Sequence, residues 1–292
     1  MDETVVVQEN RNLTKYLVWT FILGWGMQAI GIYVPGTYSI MISLCMFAPM
    51  IAVLICNRGL SRTKTGIGWK QGFKRNWRWF LISLILPTIL TVLGGIFYFL
   101  IFQDQFRPEA DYFKTILSAA GSTQISVETV IMVQMIEAVT IGAVINMFFA
   151  IGEEVGWRGY MTPALVEKLG SVKGKLLAGL IWSAFHWPLI LFAGYEYGTG
   201  YFGAPFTGCL AMCLFTTAMG IFLSFVYEQT NCIWVPALMH GAINAICALP
   251  IYFMPENTTN MLLGPTLAGV ISVLPALALG LYILILTRKI KK

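Results

Sequence analysis

The chain holds only two histidines, His186 and His240, and both lie in runs apolar enough to cross a membrane. A third such run ends in a carboxylate pair, Glu153 and Glu154. An ionisable side chain at membrane depth costs a few kcal/mol, so three such clusters in three hydrophobic segments point to one shared site. In the stretch GEEVGWRGY, Gly152 to Tyr160, a continuous helix sets Glu154 and Arg158 at i and i+4, carboxylate before cation, the order that favours pairing. Glu153 is then rotated about 100° away and free to face a cavity. Adjacent carboxylates in low dielectric favour a proton on one of them, which suits general acid or base work. Alone, the cluster also reads as charges at a helix end.

The second cluster is IWSAFHWP around His186. Trp182 lies one turn before the histidine on the same face and can wall a site, and Pro188 frees the carbonyl of Ala184. The third is WVPALMHGAIN, which puts His240 and Asn244 on one helix face, where imidazole and amide can donate to a developing oxyanion. Gly241, Ala242 and Ala245 let a neighbouring helix come close. Each histidine alone also reads as an interhelical hydrogen bond.

These residues must be positioned by membrane helices. The chain is 57% hydrophobic and 11% charged, with mean hydropathy +0.73, where a soluble domain carries about 25% charged residues. The expected fold is an all-α, polytopic transmembrane bundle forming one domain over 1–292. A span needs roughly 20 apolar residues, and eight candidates run 16–33, 37–56, 79–102, 130–152, 176–194, 206–227, 233–253 and 265–287. If they alternate, one side collects Arg58, Arg62, Lys64, Lys70, Lys74, Arg75, Arg78, Arg158, Lys168, Lys173, Lys175, Arg288, Lys289, Lys291 and Lys292, fifteen of the 19 Lys and Arg. The positive-inside rule makes that side cytoplasmic, with both termini there. The opposite loops hold Asp104, Glu109, Asp111, Glu128, Glu196 and Glu256.

The net charge of +5 therefore reflects topology and not nucleic-acid binding, and the tail RKIKK can touch anionic lipid. Trp69, Phe73 and Trp77 suit headgroup level on a surface-lying segment, 57–78. Cys45, Cys56, Cys209, Cys213, Cys232 and Cys247 form no CxxC pair and read as small core fillers. Asp2, Glu3 and Glu9 argue against a cleaved signal peptide, so the first span is expected to stay as an anchor. No internal repeat or low-complexity tract divides the chain, and nothing in it specifies an oligomeric state.

Order, separation and placement of the three motifs resemble the CPBP family of intramembrane endopeptidases, which takes in type II CAAX prenyl proteases and the bacterial Abi, or bacteriocin-immunity, proteins. The family pattern, EExxxR, FxxxH and HxxxN or HxxxD, is met by Glu153, Glu154 and Arg158, by Trp182 and His186, and by His240 and Asn244. The match covers roughly 130–250, and the first 120 residues add topology alone. Trp182 stands where the family usually has Phe, a change expected to alter pocket shape rather than chemistry.

The resemblance implies hydrolysis of a peptide bond in a membrane-associated peptide or lipidated protein. Glu153 is general base on a water shared with His186, His240 and Asn244 form an oxyanion hole, and Glu154 with Arg158 orient the base. Zinc on Glu153, His186 and His240 is the alternative, but there is no HExxH, and the metal-free mechanism is the preferred expectation. Two other readings compete: an immunity or scaffold protein that sequesters a peptide or prenyl group, and a proton-coupled transporter relaying through Glu137, Glu153, Glu154 and the two histidines. The short loops suit a prokaryotic plasma membrane, with the site open to the cytoplasm. One geometric demand follows. His186 lies about ten residues, or some 15 Å, into its span, so either the Glu153 helix runs on past residue 152 or the fifth span begins deeper.

Overall fold

A chain in lipid must satisfy its backbone hydrogen bonds internally, and long apolar runs do so as helices. The computed structural model describes residues 3–57, 66–70, 72–119, 126–256, 258 and 260–290, and among them there is no strand, only one isolated bridge between Gly198 and Asn260. Arg58, Arg62, Lys64, Lys291 and Lys292, which weigh in the charge argument, lie outside the described residues. Twelve α-helices are described: α1 (Glu3–Tyr33), α2 (Tyr38–Cys45), α3 (Ala48–Asn57), α4 (Phe73–Ile101), α5 (Asp111–Ala119), α6 (Val127–Ala138), α7 (Ile141–Gly156), α8 (Thr162–Leu169), α9 (Ser171–Ala193), α10 (Phe206–Thr230), α11 (Trp234–Ile246) and α12 (Leu274–Ile290).

Five stretches are long and apolar enough to cross a membrane: Asn12–Tyr33, α4, α9, α10 and Trp234–Phe253. The number is seven if two bent pairs each count as one span, α2 with α3 at 42° and α6 with the α7–α8 run at 45°. The protein is thus a multi-pass membrane protein. The second bend has a local cause, because the Thr140 hydroxyl donates to the Ile136 carbonyl at 2.5 Å and competes for the helical ladder. The eighth expected span shortens to an apolar Leu274–Leu286. Pro265 has no backbone donor, and a Cβ on Gly269 would strike the Gly264 backbone, so the preceding residues turn instead of coiling.

The helices sort by exposure. On α4, Ile85, Ile89, Leu93, Ile96 and Leu100 form an outward stripe at helical spacing, while Ser83, Pro87, Leu90, Thr91 and Gly94 turn inward. The windows of α10 and of Trp234–Phe253 are 67% buried, against 28–39% for α1, α4 and α9. The helix bearing His240 is therefore central, with lipid-facing helices around it. Glycines set the close approaches: a Cβ on Gly152 would lie 2.6 Å from the Met46 carbonyl, and one on Gly241 would meet the α7 backbone at Ala143 and Met147.

The demand on depth is met by the run after α7. The chain passes through a π turn, Trp157–Met161, in which Thr162 N–H donates to Trp157 O, and continues as α8. It reverses at Gly170, whose φ of +80° suits a residue without a Cβ, and α9 packs back on α8 with Gly174 facing the Val166 backbone. Glu153 and His186 stand at nearly equal distances in sequence from that reversal. The hairpin brings them to one depth.

Candidate active site

The two carboxylates have separate partners. On α7, Glu154 is fully buried and its Oε1 accepts from Arg158 Nη1 at 2.9 Å and from His240 Nδ1 of α11 at 2.8 Å. Its Oε2 has no partner among the described residues. The neighbouring Glu153 accepts, on Oε2, from the indole nitrogens of Trp157 at 2.9 Å and of Trp182 at 2.6 Å. Trp157 is one turn from Glu153, so its bond follows from helix geometry; Trp182 comes from α9, across the hairpin.

Trp182 touches every other part of the cluster. Its carbonyl accepts from His186 Nδ1 at 3.0 Å, its ring lies 4.3 Å under the Arg158 guanidinium, and it meets the His240 ring edge-on with centroids 5.3 Å apart. A carbonyl can only accept, so His186 carries its proton on Nδ1 and, when neutral, presents Nε2 as an acceptor. Tyr195 stacks on the His186 ring at 6.2 Å. For His240 the same logic puts a proton on the nitrogen facing Glu154, and its Nε2 donates only when the ring is doubly protonated.

Glu153, Glu154, Arg158, Trp182 and His240 are thus in direct contact, with His186 tied to them through Trp182. Asn244 stands apart: one turn beyond His240, it borders a cavity of about 270 Å³ that also meets Glu137, Asn146 and Gln134. At the other end of the cluster a cavity of about 470 Å³ reaches Arg158 between α8 and the end of α10, lined by Thr162, Ser224, Tyr227 and Glu228. The carboxylate pair lies between the two. Among the described residues no three His, Cys, Asp or Glu side chains converge as a metal-holding group, and two indoles already occupy one oxygen of Glu153. Glu153, His186 and His240 as they stand do not fit a zinc ion.

Three contributions escape the motifs. Trp157 is within reach of the i, i+4 rule that finds Arg158. Asn146, two turns before Glu153 on α7, is visible only as an amide in an apolar run. From α1, expected to add topology alone, Gln28 Nε2 donates to the Phe185 carbonyl at 2.9 Å, next to His186, and Tyr16 packs edge-on against Trp157. These braces hold α9 and the π turn from the side that the motifs leave open.

A bundle of membrane-crossing helices with a buried carboxylate pair and two histidines from three of its helices defines a class of intramembrane site. Comparisons with known proteins show what this region is similar to. Residues 135–246, which hold every motif residue, match the family described as Type II CAAX prenyl endopeptidase Rce1-like. The chain is 25% identical over 239 residues to Lysostaphin resistance protein A of Staphylococcus haemolyticus, covering 79% of this chain and 56% of that protein. It is 31% identical over 93 residues to CAAX prenyl protease 2 of Methanococcus maripaludis, covering 32% of this chain and 34% of that one. The chain thus spans about half or less of the length of these relatives. The region matched by the family model is the one that bears the three motifs.

Proposed function

We propose that the protein is an intramembrane endopeptidase that cleaves a membrane-associated peptide or a lipidated, CaaX-type protein with a water activated by Glu153. The observation that carries this reading is the division between the two carboxylates. Arg158 and His240 bond directly to Glu154, whereas Glu153 is fixed by two neutral indoles and forms no ion pair of its own among the described residues. Such a carboxylate is oriented and still able to take a proton. A water accepting nothing from the indoles can donate to the other oxygen of Glu153 and to Nε2 of His186, which the Trp182 carbonyl keeps free of hydrogen. As the water oxygen bonds to the scissile carbonyl carbon, its proton passes to Glu153, and from there to the leaving amine when the C–N bond breaks. His240 in its doubly protonated form, opposite Glu154, and the Asn244 amide one turn on are the donors for the oxyanion.

The mechanism as proposed uses no metal. Activity should survive dialysis against a chelator; loss that returns with one equivalent of zinc would overturn it. The charge distribution supports an orientation in which α8, the Gly170 turn and the 470 Å³ cavity face the cytoplasm, in a prokaryotic plasma membrane. The deciding experiment incubates purified protein with prenylated and unprenylated peptides, comparing wild type with Glu153→Gln and His240→Ala. Cleavage by the wild type alone is expected. Equal turnover by all three would refute the proposal.

A further inference from the structure

The 270 Å³ cavity is lined by an acidic group that the mechanism does not use. Glu137, at the end of α6, lines it with Gln134, Asn146, Asn244 and Tyr252, and no Lys, Arg or His does so. Among the described residues the Glu137 side chain has no hydrogen-bond or ion-pair partner, in a helix that belongs to a candidate span. Glu137 is exposed beside this cavity, where its carboxylate is open to a cationic ligand. The neighbouring Asn146 offers an acceptor too: one N–H of its Nδ2 donates to the Gly142 carbonyl at 2.9 Å, and its Oδ1 takes no bond among the described residues. The cavity is smaller than the ~300–1,000 Å³ of ordinary small-molecule sites, so it suits one side chain and not a whole ligand. It also adjoins the reacting groups, since Asn146 lies two turns from Glu153 on α7 and Asn244 one turn from His240 on α11.

We propose that this cavity is a specificity subsite in which Glu137 and the Asn146 amide oxygen receive a cationic side chain, Lys or Arg, of the substrate peptide. The proposal rests on the endopeptidase reading. A charge-assisted bond to a carboxylate contributes about 1.5–3 kcal/mol, which corresponds to a preference of about tenfold or more for the charged side chain.

The test uses full-length Glu153→Gln protein in nanodiscs and fluorescent peptide sets in which each position in turn is Lys, Arg, norleucine or citrulline, the last two being neutral counterparts. At one position Lys and Arg should bind at least about tenfold tighter than their counterparts. Adding Glu137→Gln should remove the preference while norleucine peptides bind as before, which also reports a folded variant. Asn146→Ala, which deletes an acceptor and keeps the charge, should reduce it. A preference at no position, or one that survives both substitutions, overturns the proposal. So does stabilisation by sodium over choline that depends on Glu137 without any peptide preference, because the cavity would then hold an inorganic cation. Binding is read separately from turnover, so absent hydrolysis in the wild type counts against the endopeptidase alone, and a lost Lys and Arg preference against the subsite alone.

Discussion

The indole N–H of Trp182 ends on Glu153 and its carbonyl on His186, so replacing the side chain removes the first link and spares the second. Phenylalanine, the residue the related family usually carries there, fills much of the space without a donor. Trp182→Phe should lower kcat by about tenfold, the worth of one charge-assisted hydrogen bond, with Trp157 still holding the carboxylate. A kcat equal to wild type in steady-state assays would show that the bond does not orient the base. The carboxylates should respond differently. Glu153→Gln is expected to reduce cleavage by about 10²–10⁴-fold, as for loss of a general base, with little change in thermal midpoint. Glu154→Gln leaves buried Arg158 and the His240 nitrogen without their shared acceptor charge, and should destabilise the protein by about 3–5 kcal/mol, read as an earlier unfolding transition in detergent. Full activity in Glu153→Gln, or equal stability of the two variants, would reverse these assignments.

At the scale of elements, the contact that matters most is α11 against α7. Gly241 sits where a Cβ would enter the α7 backbone near Ala143 and Met147. Gly241→Ala should therefore separate the helices that carry His240 and Glu154 and cost about 1–3 kcal/mol of overpacking, visible as a lower unfolding temperature together with reduced turnover. An unchanged midpoint would mean that the helices part without penalty. What could be read from the sequence divides along the same line. The Glu154–Arg158 pair was legible because both residues ride one helix, where spacing alone sets distance. The bonds from Trp182 to Glu153 and from His240 to Glu154 were not, because they depend on the register of the Gly170 hairpin and on a π turn that the hydropathy pattern does not record. Trp182 was legible as an aromatic beside His186, and its donor role needed the partner helix. Seven of the eight apolar runs match straight or bent helices able to span, but the Thr140 kink comes from a single hydroxyl, and the last run is interrupted where Pro265 and Gly269 outweigh its hydrophobicity.

For the whole molecule, the proposed orientation makes a prediction about sidedness. Lys168 near the Gly170 reversal and Thr199 in the α9–α10 connection are both exposed. In a cysteine-free background, Lys168→Cys should react with a membrane-impermeant maleimide only from the cytoplasmic side, and Thr199→Cys only from the other. Labelling of both from one side would refute the alternation on which the cytoplasmic site depends. The way the carboxylates are partnered also bears on how the chain is made. Glu153 and Glu154 are synthesised before His240 and its helix. Trp157 and Arg158 belong to the same helical run, so both carboxylates meet a partner within one turn as soon as that run coils. The nascent segment can partition into lipid already matched, carrying an unfinished site, and only the arrival of α11 completes it. The order of the helices thus puts completion of the site after both carboxylates are already partnered.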